Sequence, residues 1–158
     1  MGKPINSPVI PAVGEGKRGV DGHLGYLLRQ AHAAHRIRME KALGELDVTL
    51  PQFSVLTMLA AYPGASGADL ARLSLLTPQT MSVIVHNLER GGAVSRHPHP
   101  VHGRIQVIEL TEAGRALLAE CRVRVQPVED ALGGGLDGAA EQQVRAWLVR
   151  VAQADGLL

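Results

Sequence analysis

The sequence has few aromatic residues, a single cysteine and no long apolar run. Only 3% of its 158 residues are Phe, Trp or Tyr, so a folded core must be built from aliphatic side chains, which favours packed helices over a β-sandwich. One cysteine excludes an intrachain disulfide and is typical of a reducing cytoplasm. No stretch approaches the ~20 apolar residues of a membrane span. We therefore expect a cytoplasmic chain that does not enter a membrane.

Strong net charge is also missing. The formal net charge is +1 and 46% of the residues are hydrophobic, which indicates a folded chain rather than a disordered one. Nucleic-acid-binding domains are often strongly basic, so any positive charge for a DNA partner must be local. The sequence has no spaced nucleophile, base and acid, no glycine-rich phosphate loop and no metal motif. These absences argue against an enzyme and against a bound cofactor.

The chain is predicted to form one compact domain with three parts. Residues 1–20 contain three prolines and no helical period, so we expect a flexible tail. Residues 21–48 and 111–158 carry apolar residues at helical spacing and are predicted to form long helices at the two ends of the fold. Thr111 is the predicted cap of the helix that follows residue 110. Residues 49–110 lie between them and are predicted to contain shorter elements.

The middle part begins with three helix starts in close succession. Thr49 and Ser66 open capping boxes, and Thr77 precedes a proline suited to a first helical position. The second and third helices are joined by a very tight turn, which is typical of a helix-turn-helix. Strands are then predicted over 93–97 and 104–110. A hairpin directly behind a helix-turn-helix is a wing, so the predicted class is mainly α with a small β-hairpin (α+β), a winged helix-turn-helix.

The helix that starts at Thr77 is the candidate recognition helix. For an isolated helix, a neutral surface face is the simpler interpretation, but the position before a wing favours DNA recognition. The predicted outer face has no acidic residue, and its side chains can hydrogen-bond base edges or phosphates. These side chains are Gln79, which suits adenine, and Thr80, Ser82, His86 and Asn87, together with Thr77 at the start of the helix.

The wing supplies the local positive charge. From Arg90 to Ile108 there are three arginines, three histidines and no carboxylate. Arg96 and Arg104 flank the hairpin, and Arg104 is placed to enter a narrow minor groove, whose potential attracts a guanidinium. Together with Arg72, they are expected to contact the DNA backbone. A solvated basic loop is the alternative interpretation.

Several segments of the chain resemble, in order, the pattern of the MarR family. The resemblance runs from about residue 23 to residue 155. It implies that 21–48 and 111–158 form a dimerisation region, and that the chain is a homodimeric, ligand-responsive repressor of a pseudo-palindromic operator. Small aromatic or anionic effectors often release such proteins from DNA. The segments are LPQF at 50–53, LERGGAV at 88–94, RHP at 96–98, Arg104, and LTEAG at 110–114.

The wing tip departs from the family pattern, which commonly has an acidic stretch followed by two arginines. His99, Val101 and His102 replace acidic positions, and Gly103 stands where the first arginine is expected. Only Arg104 of that pair remains. Protonated His99 and His102 would add phosphate contacts, which predicts tighter DNA binding at about pH 6 than at about pH 8 when salt is fixed.

Other interpretations of the histidines and of the cysteine stay open. His97, His99 and His102 share one loop, so a metal-responsive regulator is an alternative, although no cysteine or carboxylate lies near the loop in the sequence and no metal ligand is assigned. The small net charge also permits a winged-helix protein-interaction module. Cys121 is predicted to be a buried, inert thiol rather than a redox sensor.

An effector pocket is predicted between the first helix and the helix-turn-helix. Tyr26, His32, His35 and Phe53 would line it, offering rings to stack on and a cation for a carboxylate. Ordinary packing is the alternative role for each of these four side chains.

Overall fold

The computed structural model describes residues 8–153. It confirms a mainly helical fold with one small hairpin. Residues 1–7 of the predicted tail and residues 154–158 of the predicted last helix lie outside the described residues. In chain order the elements are a 3-10 helix Gly16–Arg18, α1 Leu24–Gly44, α2 Leu50–Ala61, α3 Gly67–Ser74, α4 Pro78–Arg90, β1 Val94–Pro98, β2 Gln106–Leu110, α5 Glu112–Gly133 and α6 Gly138–Gln153.

The chain divides into two units, one up to Arg38 and one from Met39. One compact domain for the whole chain stays a prediction. In the first unit, the predicted tail contains hydrogen-bonded structure around the 3-10 helix. Arg18 Nη1 donates to the carbonyl oxygen of Pro11 at 2.8 Å, and Gly14 N donates to that of Arg18 at 3.0 Å. Most α1 side chains up to Arg38 are exposed, which explains why the unit boundary falls within this helix.

Four helices of the second unit begin at the predicted caps. The side chains of Thr49, Ser66, Thr77 and Thr111 each accept a hydrogen bond from the backbone amide three residues later. At Thr49 and Ser66 the bond is reciprocated by the side chain three residues on, so both capping boxes are complete. Because each cap satisfies an amide that the helix itself cannot pair, these residues fix where α2, α3, α4 and α5 begin.

Two apolar clusters form the core of the second unit. The larger joins α2, α3, α4 and the hairpin, and it contains the four buried residues of α4. The smaller joins the last part of α1 to α5 through Met39, Leu43, Cys121 and Val125. Phe53 packs against both clusters. The helix-turn-helix and the wing therefore share one core.

The two strands are antiparallel, in a register that pairs Val94 with Leu110 and Pro98 with Gln106. The second strand is shorter than predicted, because Ile105 N donates to the carbonyl oxygen of His102 at 2.8 Å and closes a turn there. Arg104 accordingly lies in the loop and not in a strand. The edge of β2 that does not pair with β1 is hydrogen-bonded to the segment before α3. There, Ile108 N donates to the carbonyl oxygen of Ala65 at 3.0 Å.

The start of α5 lies against the root of the wing. Thr111 N donates to the carbonyl oxygen of Ala93 at 3.1 Å, and Thr111 Oγ1 donates to that of Gly92 at 2.6 Å. A Cβ atom placed on Gly114 would lie 1.9 Å from the Ala93 oxygen. The close contact between α5 and β1 therefore requires glycine at this position.

The last helix leaves most of its apolar side chains exposed within the described chain. No residue of α6 is buried, and Val144, Leu148 and Val151 remain 42%, 45% and 43% exposed on one face. Among residues 8–153, no helix combines the length and the apolar character that crossing a membrane requires.

Candidate nucleic-acid interface

The outer face of α4 presents side chains that are available for hydrogen bonding. Gln79, Ser82, His86 and Asn87 are exposed, as predicted. Within residues 8–153 none of these four side chains forms a hydrogen bond or an ion pair. Each carries at least one polar group of the kind that contacts base edges in a major groove. These side chains face outward because the opposite face of α4 is buried. The buried residues are Met81, Ile84, Val85 and Leu88.

Thr77 and Thr80 are already engaged with each other. Thr77 Oγ1 accepts a bond from Thr80 N at 3.2 Å, and the two hydroxyl oxygens are 2.9 Å apart. Thr77 therefore caps the helix and orients its first turn. Direct DNA contact by either hydroxyl stays a prediction.

Two of the three arginines expected at the DNA backbone form ion pairs. Arg72 contacts Asp69 in α3, and Arg96 Nε lies 3.2 Å from Glu89 Oε2 at the end of α4. The sequence does not predict the second pair, because Glu89 lies just outside the carboxylate-free interval and only the fold brings it to β1. Arg104 has no ion pair within the described chain, so its guanidinium is available to a phosphate or a minor groove.

Asp69 is a local acid that the predicted interface did not include. Its side chain accepts bonds from the Ser66 hydroxyl at 2.6 Å and from Ser66 N at 3.0 Å. These bonds, and then the Arg72 guanidinium, lower the pKa of Asp69 below its ordinary value of 3.8. Asp69 therefore stays charged at neutral pH and neutralises Arg72 locally.

The wing histidines have different partners. His97 Nε2 lies 3.7 Å from Glu109 Oε1 across the hairpin. His99 Nδ1 accepts bonds from Val101 N and His102 N, both at 3.1 Å, and its ring stacks on that of His102 with 5.5 Å between centroids. Nδ1 of His99 is the acceptor in both bonds, and these bonds close the loop at the wing tip.

These contacts leave the three wing histidines without a shared centre. His97 is directed to a carboxylate and His99 to backbone amides. In the part of the chain that the structure describes, no group of three or more His, Cys, Asp or Glu side chains has the geometry to hold a metal ion. The alternative of a metal-responsive wing therefore has no support in the geometry.

The residues predicted to line an effector pocket fall in different units. Tyr26, His32 and His35 lie on α1 in the first unit, with Tyr26 and His35 half-buried. Phe53 lies on α2 in the second unit, half-buried against both apolar clusters. A pocket made by these four residues stays a prediction. Cys121 is fully buried, as predicted, and this burial raises the pKa of its thiol.

Comparison of the sequence with known proteins identifies related regulators. Residues 46–105 match a family model described as the MarR family. An HTH-type transcriptional repressor of Mycobacterium tuberculosis is 35% identical over 131 residues, which are 83% of this chain and 94% of the relative.

The fold also matches solved structures. A Staphylococcus aureus MepR–DNA complex has a TM-score of 0.76 and 25% identity, covering 82% of this chain and 96% of that one. Bordetella bronchiseptica BpsR, whose DNA binding is regulated by 6-hydroxynicotinic acid, has a TM-score of 0.78 and 24% identity, covering 86% of this chain and 97% of that one. The predicted winged helix-turn-helix is thereby confirmed.

Proposed function

The chain belongs to the MarR family, and from that premise we propose that it is a cytoplasmic, homodimeric repressor of a pseudo-palindromic operator, released by a small aromatic or anionic effector. It is a DNA-binding transcription regulator, and we propose no enzymatic activity for it. The observation that carries the proposal is the exposed, unpartnered face of α4, followed along the chain by the wing with its unpaired Arg104.

The two elements have different roles in the proposed complex. Gln79, Ser82 and His86 on α4 would contact base edges in the major groove, where donor and acceptor patterns identify each base pair. Arg104 at the wing tip would enter the adjacent minor groove. Arg72 and Arg96 would exchange their carboxylate partners for phosphates, and this exchange adds less affinity than a free arginine does.

The proposed homodimer would cover the exposed apolar face of α6. Val144, Leu148 and Val151 form a continuous apolar row on this helix, and such a row on a monomer marks an interface. A dimer would place two copies of α4 about one helical turn of DNA apart, which matches the two half-sites of a palindrome. Leu148→Glu should therefore lower both dimer content and operator affinity, whereas Gln142→Glu adds the same charge on the other side of α6 and should change neither.

The effector is proposed by analogy with BpsR, which responds to 6-hydroxynicotinic acid. The shared fold does not transfer that ligand to this chain, but it supports the general class of a small aromatic acid. The effector would act by binding the DNA-free form more tightly than the operator-bound form.

The deciding experiment is fluorescence anisotropy with a labelled DNA fragment from upstream of the chain's own gene, measured over a series of salt concentrations. Affinity should fall log-linearly with salt because binding releases counterions. Arg104→Gln should weaken binding roughly tenfold at fixed salt and reduce the salt slope by about one per protomer. Arg122→Gln removes the same charge from α5 and serves as the matched control. Binding no tighter than to a scrambled fragment of equal length would contradict the proposal.

A further inference from the structure

Val83 is an apolar side chain on the outer face of α4, among polar neighbours. The structure describes the whole of α4, and of the Met, Val, Ile and Leu side chains in this helix Val83 is the one that is exposed, at 60%. It therefore adds little to the core. As a β-branched residue it also has a lower helix propensity than alanine or a long polar residue. Neither packing nor helix formation explains a valine here, and its side chain is available to a partner.

Val83 shares one stripe of the helix with side chains that can hydrogen-bond base edges. Gln79 lies four residues before it and Asn87 four residues after it, and residues four apart in a helix lie one above the other on the same face. A helix that presents Gln79 to a groove therefore presents Val83 to the same groove. Four residues rise about 6 Å along the helix axis. This length corresponds to about two base-pair steps of roughly 3.4 Å each.

The chemistry of the side chain restricts what it can contact. Valine has no donor or acceptor, so placing Val83 against a polar base atom would leave that atom without a hydrogen bond. Of the four bases, only thymine carries a methyl group on its major-groove edge. Apolar contact with this methyl group is the interaction that suits Val83.

The position of Val83 is fixed before DNA binds. A valine in a helix adopts one χ1 rotamer in about 90% of cases. The helix backbone is held by its buried opposite face and by the cap at Thr77, whose Oγ1 accepts a bond from Thr80 N at 3.2 Å. A contact made by Val83 therefore costs little conformational entropy.

We propose that Val83 is a specificity-determining residue that contacts the C5 methyl group of one thymine in each operator half-site, about two base pairs from the base that Gln79 contacts. The inference rests on the proposed function, in which α4 lies in the major groove. It adds an apolar contact to the hydrogen bonds proposed for this helix, and it names the base. Removing one methyl group from water changes affinity by about fourfold, so the two half-sites together give roughly fifteenfold.

The first test replaces thymines in the labelled fragment from upstream of the chain's own gene with deoxyuridine, in pairs related by the operator symmetry. Deoxyuridine still pairs with adenine and keeps O4 as an acceptor, but it lacks the methyl group. In fluorescence anisotropy at fixed salt, one such pair should weaken wild-type binding by roughly fifteenfold. If no pair weakens binding by more than about twofold, a change smaller than one buried methyl group provides, the proposal is wrong.

The second test assigns the methyl contact to Val83 by a double-mutant cycle. Val83→Ala should weaken binding to the thymine fragment and should bind the thymine and deoxyuridine fragments equally well, because the two changes remove the same contact. Val20→Ala is the matched control, since Val20 is 96% exposed in the first unit. That variant should discriminate between the two fragments as the wild type does. If Val83→Ala still discriminates as strongly as the wild type, another side chain contacts the methyl group and the proposal is overturned.

Two further measurements separate this inference from an effect on folding and from the proposed function. Val83→Thr keeps the shape of the side chain and replaces one methyl group with a hydroxyl, so it should lose only part of the discrimination. In urea denaturation Val83→Ala should be at least as stable as the wild type, because the side chain is exposed. A variant that is unfolded would show that Val83 supports the core and would overturn the proposal. Failure of the wild type to bind the upstream fragment contradicts the proposed function itself, whereas wild-type binding that no deoxyuridine pair weakens overturns only this inference.

Discussion

Replacing Gly114 with alanine tests the contact that joins α5 to the wing. The new Cβ would lie 1.9 Å from the Ala93 carbonyl oxygen, whereas an ordinary contact between such atoms is at least 3.4 Å. The start of α5 would have to move by about 1.5 Å, because the atom that it meets is backbone and cannot rotate away. This movement would lengthen the 3.1 Å bond from Thr111 N to the Ala93 oxygen beyond hydrogen-bond range.

The expected change in the free energy of unfolding is the sum of opposing effects. Overpacking of this kind costs ~1–3 kcal/mol, and the lost Thr111 bond costs about 1 kcal/mol more. Alanine in place of glycine within a helix returns about 1 kcal/mol. We therefore expect Gly114→Ala to lower the free energy of unfolding by about 2 kcal/mol, which corresponds to a melting temperature lower by roughly 4–8 °C.

Urea denaturation followed by circular dichroism measures this difference, at equal protein concentration because dimerisation would contribute to stability. Gly133→Ala is the matched control, since Gly133 lies in the same helix and a Cβ there meets nothing within 4 Å. That variant should be as stable as the wild type or up to about 1 kcal/mol more stable. Equal shifts in the two variants would refute the reasoning, as would a Gly114→Ala variant with wild-type stability.

Three further predictions concern single side chains. Leu75 has a left-handed φ of 53° and is 85% exposed. Leu75→Gly should therefore raise the free energy of unfolding, measured by urea denaturation, by about 1 kcal/mol. Leu73→Gly, inside α3, should lower it by about 1 kcal/mol. The pKa of Asp69 is lowered in the folded chain, so its stabilisation is present above its unfolded value of 3.8 and is lost as pH falls through the folded pKa. The stability difference between wild type and Asp69→Ala should be full at about pH 7 and should shrink towards about pH 3; a difference independent of pH would argue against this assignment. Burial raises the pKa of the Cys121 thiol, so peroxide should not change operator affinity in the wild type or in Cys121→Ser, and a change seen only in the wild type would show a reactive thiol.

Local patterns were sufficient to predict most of the fold. The caps at Thr49, Ser66, Thr77 and Thr111 depend on bonds between residues three apart, so their positions follow from the sequence alone. The buried and exposed faces of α4 follow from helical period in the same way.

Contacts between distant segments could not be predicted in this way. The pair Arg96–Glu89 joins a strand to the end of a helix, and the approach of Gly114 to Ala93 is set by how α5 packs. Periodicity indicates which face of an element is buried, but it does not indicate which neighbour lies there.

The pairing of Arg72 with Asp69 and of Arg96 with Glu89 has a consequence for how the protein finds its operator in a genome. Affinity for random DNA comes almost entirely from phosphate neutralisation, and here two guanidiniums are neutralised before DNA arrives. A nonspecific contact that uses Arg72 or Arg96 must first break one of these pairs, which weakens binding to competing sites. Such a regulator gains its preference for one site as much from weak binding elsewhere as from strong binding at its target.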